Sequence, residues 1–461
     1  MGVIVILAAL GLLVFTAYRG FSVILMAPIC ALLAILFTSP ALVAPVFSGV
    51  FLDAMAGFLR TYFPVFLLGA LFGKLMEMAG LSAAIAIQIV RLVGPKRAIL
   101  ATVLMCALMT YGGVSVFVVV FTVYPLAAVL FRQADIPKRL LPASMALGSF
   151  TFSMDAMPGS PQVQNIIPTT FFNTTAWAAP MLGLVGGAAI LAAGLTFLEW
   201  RRRAAGDEGY GEGHTNEPVI GAVERLPNGY LAFLPLITTL VANFILTQAI
   251  PAFYGSSAVV DLPGLKAPLN VSIPAVTGIW AVEAALMLGC LVTVLLGWRP
   301  IRALFSDGSK AAVGGAMLAS INIASEFGFG AVMAALPGFN AIRNAMAAIP
   351  DPLVNQAVTI TTLAGVTGSG AGGLSLSLAA LGDQFLARGV AAGIPPEVLH
   401  RVAAMACGGM DTLPHNGAVI TLLAVVGLTH RQAYKDIFAI TLIKTAAVFF
   451  VIGLHYATGL V

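Results

Sequence analysis

Charged residues are scarce in this chain, and their scarcity decides its class. Only 9% of the 461 residues are Asp, Glu, Lys or Arg, while 59% are hydrophobic, and a soluble domain carries about 25% charged residues. The mean hydropathy is +0.99. The sequence therefore predicts an all-α polytopic membrane protein embedded in a lipid bilayer. The small net charge of +4 and the lack of a basic patch argue against a nucleic-acid partner.

The chain has few cysteines, and their spacing matches neither a disulfide nor a metal-binding motif. All four lie in apolar stretches without a Cys-x-x-Cys spacing, so we expect buried thiols rather than a disulfide framework or a metal site. The N-terminus lacks the basic segment and the cleavage site of a signal peptide, so its first apolar run should remain as a span. We expect no cofactor, because the run Gly368–Gly373 is not followed by the Gly-Lys-Ser/Thr of a nucleotide loop.

Two acid-bearing stretches interrupt the apolar pattern. Leu147–Phe172 begins as an apolar helix and is then broken by Asp155 and by prolines, which are costly inside a membrane unless they line a buried cavity. Met410–Asn416 repeats the Met-Asp-x-apolar-Pro pattern 256 residues later, with Asp411 in the place of Asp155. Two broken, acid-bearing helices in corresponding halves are typical of the substrate site of a transporter.

Other matches recur at nearly the same offset. Gly112–Ser115 corresponds to Gly372–Ser375 at an offset of 260 residues, and Phe72–Gly73 corresponds to Phe329–Gly330 at an offset of 257. Because three matches occur in order with a nearly constant offset, the sequence predicts a duplicated architecture.

Each repeat is expected to contain about five spans, one re-entrant hairpin and one broken helix. The first inverted repeat covers 1–200 and the second 229–461, with a polar cytoplasmic linker at 201–228. The predicted spans, at roughly 20 residues each, lie at 2–18, 21–39, 61–79, 176–198, 230–250, 273–297, 313–336 and 436–457. The predicted hairpins lie at 98–131 and 353–386, the broken helices at 139–173 and 397–427, and two amphipathic surface segments at 43–60 and 80–94.

The distribution of lysine and arginine among the loops predicts which side of the membrane each loop faces. Short loops rich in these residues face the cytoplasm, so the first hairpin is expected to enter from the cytoplasm and the second from outside. The repeats are therefore inverted in this arrangement, in which Arg343 and Arg388 fall outside and disagree with the rule. The basic loops are Arg91–Arg97, Arg132–Arg139, Arg201–Arg203, Arg299–Lys310 and His430–Lys435, whereas 251–272 carries only Lys266.

The breaks offer backbone donors to an anion. A helix that starts inside the membrane presents free N–H groups and a dipole end worth roughly half an elementary charge. We expect such ends after Gly113, Pro158, Gly373 and Pro414, with no buried Lys or Arg within these segments. The neutral lining suits a small hydroxylated carboxylate. The candidate substrate-binding residues are Thr110, Tyr111, Gly112, Gly113, Ser115, Ser160, Gln164, Asn165, Thr367, Ser369, Gly372, Gly373, Ser375, His415 and Asn416.

Three acids within apolar segments are the candidates for proton coupling. An ionised carboxylate there costs several kcal/mol, so Asp155, Asp411 and Glu326 should each take up a proton or bind a cation. Glu326 has no acidic counterpart in the first repeat, where the offset gives Gly69. A single proton site is therefore most simply assigned to Glu326. His415 also has no counterpart in the first repeat, where Gly159 occupies the equivalent position.

Structural roles compete with these assignments. Asp155 and Asp411 could cap the half-helices that follow the breaks, Glu326 could be a buried hydrogen-bonding residue, and His415 could pack or cap. Glycines outside the tips favour close helix packing.

Four runs carry a resemblance to a known family. FPVFLLGALFGKLMEMAG (63–80), TYGGVSVFVVVFTVYPLA (110–127), SFTFSMDAMPGSPQVQNIIPTTFF (149–172) and ASEFGFGAV (324–332) resemble the gluconate permease (GntP-type) family of proton symporters, and the similarity covers essentially the whole chain. The resemblance implies uptake of gluconate or related hydroxy acids such as 3-hydroxybutyrate. It also implies the ion-transporter superfamily fold, a homodimer and elevator motion in the inner membrane. Sodium-coupled relatives carry Ser-Asn-Thr at the hairpin tips, which Tyr111–Ser115 and Thr367–Gly370 lack.

These observations favour a proton-coupled symporter of a small hydroxy-carboxylate over its alternatives. A sodium-coupled citrate- or dicarboxylate-type carrier is the alternative within transport. An intramembrane aspartyl protease, an enzyme with two aspartates in spans, is disfavoured because its Gly-x-Gly-Asp signature is absent. A channel is disfavoured because inverted broken helices with buried acids suit alternating access.

Overall fold

The protein is mainly α-helical, as its apolar composition predicts. The computed structural model describes residues 2–19, 21–94, 97–214, 216–217, 226–264, 267–341, 344, 348–414 and 416–461. Within these residues, seven helices are long and apolar enough to cross a membrane. The chain is therefore a multi-pass membrane protein, and the predicted all-α polytopic class is confirmed.

The first repeat begins with a helical pair and a long helix. α1 (Gly2–Tyr18) packs against α2 (Val23–Thr38). A helical path then runs from Pro40 to Met78 and ends in α3 (Asp53–Met78). The predicted division into a surface segment at 43–60 and a span at 61–79 is wrong, because no residue near 60 breaks the helix. The path bends instead through a π-helical turn at Phe47–Leu52.

A helical hairpin follows. α4 (Leu81–Val93) leads to α5 (Ala98–Tyr111) and α6 (Val116–Gln133), which pack against each other. Gly113 in the turn between them has φ 100°, which an L side chain rarely adopts. α5 has 14 residues, or about 21 Å at 1.5 Å per residue, which is shorter than a bilayer core of about 30 Å. The hairpin turns at the predicted residues.

The first broken helix is divided into three short helices. These are α7 (Leu141–Ser149), α8 (Phe152–Asp155) and α9 (Val163–Phe172). The long helix α10 (Pro180–Ala204) follows. We call residues 156–162 break 1.

The second half contains eight further helices among the described residues. Its helices are α11 (Leu234–Tyr254), α12 (Ile273–Leu296), α13 (Trp298–Ala335), α14 (Pro352–Thr367), α15 (Gly370–Ala391), α16 (Pro396–Gly409), α17 (Gly417–Val426) and α18 (His430–Thr458). α14 and α15 form the second hairpin, and residues 410–416 between α16 and α17 are break 2. α13 joins the predicted segment around 302–310 to the span at 313–336 in one helix. The inverted orientation of the two halves stays a prediction.

A small β-hairpin lies in the loop 251–272, the one that carries only Lys266 among its basic residues. β1 (Ser257–Val260) pairs antiparallel with β2 (Leu269–Ser272), with Ser257 opposite Ser272. Val259 and Val260 favour this extended conformation because their branched side chains suit a strand.

The helices pack as two groups. In the first helix group α3 packs along α13 and α12, α11 packs on α12, and α2 packs on α13. In the second helix group the hairpins, the broken helices, α10 and α18 pack on one another. The main contact between the groups is that of α13 with α15, and α9 also touches α12. The second hairpin therefore lies at the junction of the two groups.

The described part of the linker is held by ion pairs. Arg139 pairs with Glu208 at 2.7 Å, and Lys138 pairs with Glu217 at 2.8 Å. Hydrogen bonding to Arg139 lowers the pKa of the Glu208 carboxyl. The predicted linker is polar, but through these contacts residues 208 and 217 lie against the start of the first broken helix.

We expect Asp436→Asn to destabilise the protein because Asp436, a buried residue, accepts from Arg201 at 2.5 Å and from Arg139 at 3.2 Å. Breaking a buried pair leaves an uncompensated charge, so the Tm in detergent should fall by about 3–5 °C. Asp307→Asn is the matched control, since the Asp307–Lys310 pair is exposed and its loss should change the Tm by about 1 °C at most. Equal effects of the two substitutions would contradict this role for Asp436.

Candidate functional site

The first hairpin tip packs on break 1. The Tyr111 hydroxyl donates to the Pro158 carbonyl at 2.8 Å. The Gln162 amide donates to the carbonyls of Thr110 at 2.7 Å and Val114 at 3.2 Å. The predicted tip and the predicted break are therefore in direct contact, held through backbone carbonyls of both the tip and the break.

The remaining first-half candidates lie around this contact. Ser160 is buried and its hydroxyl donates to the Ser153 carbonyl at 3.2 Å. Asn165 is buried and donates to the carbonyls of Ser160 and Ala176, both at 2.9 Å. Ser115 precedes α6 without a side-chain capping bond. Gly112 lies against α11, where a Cβ would overlap the Leu236 side chain.

The second tip and break 2 make the corresponding contact. The Asn416 amide donates to the Gly368 carbonyl at 2.8 Å, and its oxygen accepts from the backbone of Ala418 and Val419. Asn416 is therefore the cap of α17, and the predicted capping by Asp411 is wrong. The predicted capping by Asp155 is wrong too, because α9 has no side-chain cap.

The second hairpin turns earlier than predicted. α15 begins at Gly370, so Gly372 and Gly373 lie within its first turn rather than before it. Ser369 caps this helix by accepting from the Gly372 N–H at 3.0 Å. Its neighbour Thr367 donates to the Ser369 carbonyl at 3.2 Å. A helix N-terminus thus stands at the tip, and Ser369 already occupies one of its free N–H groups. His415 lies outside the described residues.

Arg401 overturns the expectation that no buried cation lies within these segments. This α16 residue is fully buried, and its guanidinium reaches across to break 1. It donates to the Asp155 carbonyl at 3.1 Å, to the Asn165 side chain at 2.9 Å and to the Ala178 carbonyl at 2.8 Å. The next residue back, His400, hydrogen-bonds Thr174 at 2.6 Å. Arg401 is saturated with protein acceptors and therefore holds the first broken helix rather than a ligand.

Lys444 is a second buried cation near the breaks. It lies in the middle of α18, is 2% exposed, and forms an ion pair with Asp411. Its ammonium also donates to the Phe150 carbonyl at 3.0 Å. Asp155 is buried against Gly408 and lies within the electrostatic reach of Lys444 and Arg401. The two aspartates and the two cations therefore form a balanced cluster, which we call the four-charge cluster.

Glu326 differs from these aspartates. It is 4% exposed on α13, and no hydrogen bond reaches its Oε2 among the described residues. That oxygen lies directly against Gly372 in the first turn of α15, where a Cβ would overlap it. A buried carboxylate oxygen without a partner is costly, so the site is suited to binding a proton or a cation.

Unpartnered buried atoms concentrate on the predicted site. Among the described residues, four of the side chains that carry such atoms are predicted site residues: Thr110, Gln164, Ser375 and Glu326. Others lie elsewhere, at Ser82, Thr102, Asn243 and Gln356. Buried polar groups are normally hydrogen-bonded, so unpartnered atoms at both tips indicate groups available to a ligand.

Sequence reasoning missed Arg401 and Lys444. A lone cation inside an apolar segment is itself a signal of function or pairing, and that signal was present at both positions. The partners, however, lie far along the chain: 33 residues separate Lys444 from Asp411 and 246 separate Arg401 from Asp155. No local pattern predicts such contacts.

We expect Arg401→Lys to loosen break 1, because a lysine cannot reproduce the planar fork that reaches several acceptors at once. The Tm in detergent should fall by about 5 °C or more. Arg388→Lys is the matched control: Arg388 also donates to backbone carbonyls, those of Ile349 and Pro350, but at the partly exposed surface, and its replacement should shift the Tm by about 1 °C. An unchanged Tm for Arg401→Lys would remove its clamping role.

The chain shares its fold with solved membrane transporters. The YdaH transporter of Alcanivorax borkumensis aligns with a TM-score of 0.53 and 12% identity over 88% of both chains. MtrF of Neisseria gonorrhoeae, described as illuminating a class of antimetabolite efflux pumps, aligns with a TM-score of 0.51 and 14% identity over 90% of this chain and 84% of its own. At these identities the likeness shows the fold alone.

A sequence relative shows the family. No family model matches the chain, and the resemblance to the gluconate permeases stays a prediction. The chain is, however, 56% identical over 472 residues to the uncharacterized transporter YxjC of Bacillus subtilis (strain 168), with 100% of both chains covered. The protein therefore belongs to the family of the transporter YxjC.

Proposed function

We propose that this transporter is a proton-coupled symporter that takes up a small hydroxy-carboxylate, such as gluconate or 3-hydroxybutyrate, across the inner membrane. The observation that carries the proposal is the environment of Glu326. Its carboxylate is buried, one oxygen has no partner among the described residues, and that oxygen abuts the first turn of α15. Binding of a proton removes the cost of an unpaired buried charge.

The other two candidate acids are less suited to carry the proton. Asp411 is paired with Lys444, and Asp155 lies near Lys444 and Arg401. Protonating Asp411 would leave the buried Lys444 ammonium without its ion-pair partner. Asp155 is attracted by both buried cations, Lys444 and Arg401. We therefore assign the coupling proton to Glu326 alone.

The position of Glu326 supports coupling to movement. Glu326 belongs to α13 of the first helix group, while Gly372 belongs to α15 of the second. A change in charge at this contact changes the free energy of the interface between the groups. If the second group moves as an elevator within a homodimer, as the family resemblance implies, protonation of Glu326 biases that movement.

The proposed substrate class is supported by the polar groups at the hairpin tips and breaks. The N-termini of α15 and α17 are capped by Ser369 and Asn416 and can attract a carboxylate. Unpartnered oxygens of Thr110, Gln164 and Ser375 can hydrogen-bond the hydroxyl groups of a substrate. A small hydroxylated anion satisfies both kinds of group.

A sodium-coupled citrate- or dicarboxylate-type carrier is the second candidate. One observation favours it: the free oxygen atoms of Glu326 and Ser375 are hard ligands that could also hold a cation. Within the described residues, no group of three His, Cys, Asp or Glu side chains could hold a metal ion, so such a cation would rely on hydroxyl and backbone oxygens.

Uptake by the purified protein in proteoliposomes tests the proposal. Labelled gluconate and 3-hydroxybutyrate are supplied outside, with and without an inwardly directed pH gradient and with and without sodium. We expect accumulation that needs the pH gradient and ignores sodium. Accumulation that needs sodium would favour the second candidate, and no accumulation of either acid would overturn the proposed substrates.

We expect Glu326→Gln to abolish accumulation driven by the pH gradient while leaving substrate exchange, because glutamine cannot release a proton. Counterflow of labelled against unlabelled substrate measures exchange. Glu283→Gln is the matched control, since Glu283 lies half-buried in the span α12 and should retain accumulation within about twofold. Accumulation by Glu326→Gln at the wild-type level would remove Glu326 from the mechanism.

We expect Gly372→Ala to reduce accumulation at least about tenfold, because the added Cβ overlaps the Glu326 carboxylate and even a small misplacement at a site is costly. Gly69→Ala is the control: Gly69 is the first-half counterpart of Glu326, and a Cβ there has no neighbour within 4 Å. The initial uptake rate is measured for both. Equal activity of the two variants would show that the contact of α15 with Glu326 is unimportant.

A further inference from the structure

Side chains from several successive turns of α18 hydrogen-bond break 2 and the end of α16. Thr445 donates to the Gly409 carbonyl at 2.8 Å, Thr441 bonds the Thr412 hydroxyl at 2.6 Å, and Tyr434 donates to the Thr412 carbonyl at 3.1 Å. The Lys444–Asp411 ion pair lies among these contacts. Break 2 therefore has little freedom to move relative to α18.

Asp411 connects these contacts with α18 to the second hairpin tip. Its Oδ1 pairs with Lys444, and its Oδ2 lies beside Gly370, where a Cβ would be 2.8 Å away. Gly370 is the first residue of α15, so a carboxylate beside it also faces the positive end of the helix dipole. One oxygen of Asp411 is thus paired with Lys444, and the other faces the first residue of α15.

The contacts form one continuous path between the two halves. Lys444 donates to the Phe150 carbonyl of the first broken helix at 3.0 Å and holds Asp411. Asp411 abuts Gly370, and Gly372, two residues further on, abuts Glu326. The place of the second tip against Glu326 is therefore set by a chain of contacts that begins at Lys444.

We propose that Lys444 and Asp411 are a positioning pair that fixes the second hairpin tip against Glu326, and that neither residue carries the coupling proton. This inference rests on the proposed function in one respect: it takes the tip and Glu326 to be the working parts of the transporter. Removing one member of a buried ion pair leaves an uncompensated charge, whereas replacing both members by neutral groups is often tolerated.

Other titratable groups surround the pair. Asp155 on α8 and Cys407 on α16 lie within the electrostatic reach of the pair, and Arg401 on α16 lies within that of Asp155. Neutralising both Asp411 and Lys444 leaves the net charge of this environment unchanged, whereas each single substitution changes it by one. A comparison of single and double variants therefore separates positioning from proton transfer.

The variants Lys444→Met, Asp411→Asn and the double variant test the proposal in proteoliposomes. We expect each single variant to accumulate substrate at least about tenfold less than wild type. The double variant should recover to within about threefold and should still require the pH gradient. A double variant that exchanges substrate but ignores the gradient would show that Asp411 carries the proton and would overturn the proposal.

A second readout does not depend on the substrate. Val366→Cys introduces a thiol at the partly exposed second tip, and the four native cysteines are buried. We expect maleimide to label this thiol at least about threefold faster in each single variant, because the tip is released, and at the original rate in the double variant. Equal rates in all variants would overturn the positioning role. If wild type accumulates neither acid, the proposed function fails, and the labelling rates alone still decide the positioning role.

Discussion

A helix that breaks inside an apolar protein frees carbonyl groups and must find donors for them. Arg401 meets this need for the first broken helix, because its buried guanidinium donates to carbonyls on both sides of break 1. Lys444 acts similarly for both breaks, through the Phe150 carbonyl and Asp411. The two breaks, and the hairpin tips that rest on them, depend on these cations.

Because the cations are balanced by Asp155 and Asp411, the four-charge cluster is electrically satisfied where the broken helices meet. Glu326 lies apart from it, at the junction of the two helix groups, with an oxygen that no described residue satisfies. This contrast is the basis of the proposed roles, in which the aspartates shape the site and Glu326 takes up the coupling proton. Movement of one helix group relative to the other can then depend on a single titrating carboxyl.

The positions of the breaks and of the hairpin tips could be predicted from the sequence because the residues that cause them are neighbours in the chain. Prolines, glycines and an acid within an apolar run predict an interrupted helix, and the structure has both interruptions. Arg401 and Lys444 were missed because their partners are distant in the chain. Capping of α17 by Asp411 was one alternative open from the sequence, and the turn geometry shows that Asn416 instead meets the free N–H groups. The continuity of α13 was missed because the charged residues of Arg299–Lys310 indicated a basic loop before the span.

The central claim is that Glu326, rather than Asp155 or Asp411, exchanges the proton. Infrared difference spectroscopy of the reconstituted protein, recorded between acidic and alkaline buffer, measures this through the carbonyl stretch of a protonated carboxyl group. We expect one such band in wild type, its loss in Glu326→Gln, and its retention in Asp155→Asn and Asp411→Asn. A band that survives in Glu326→Gln and disappears in either aspartate variant would contradict the account.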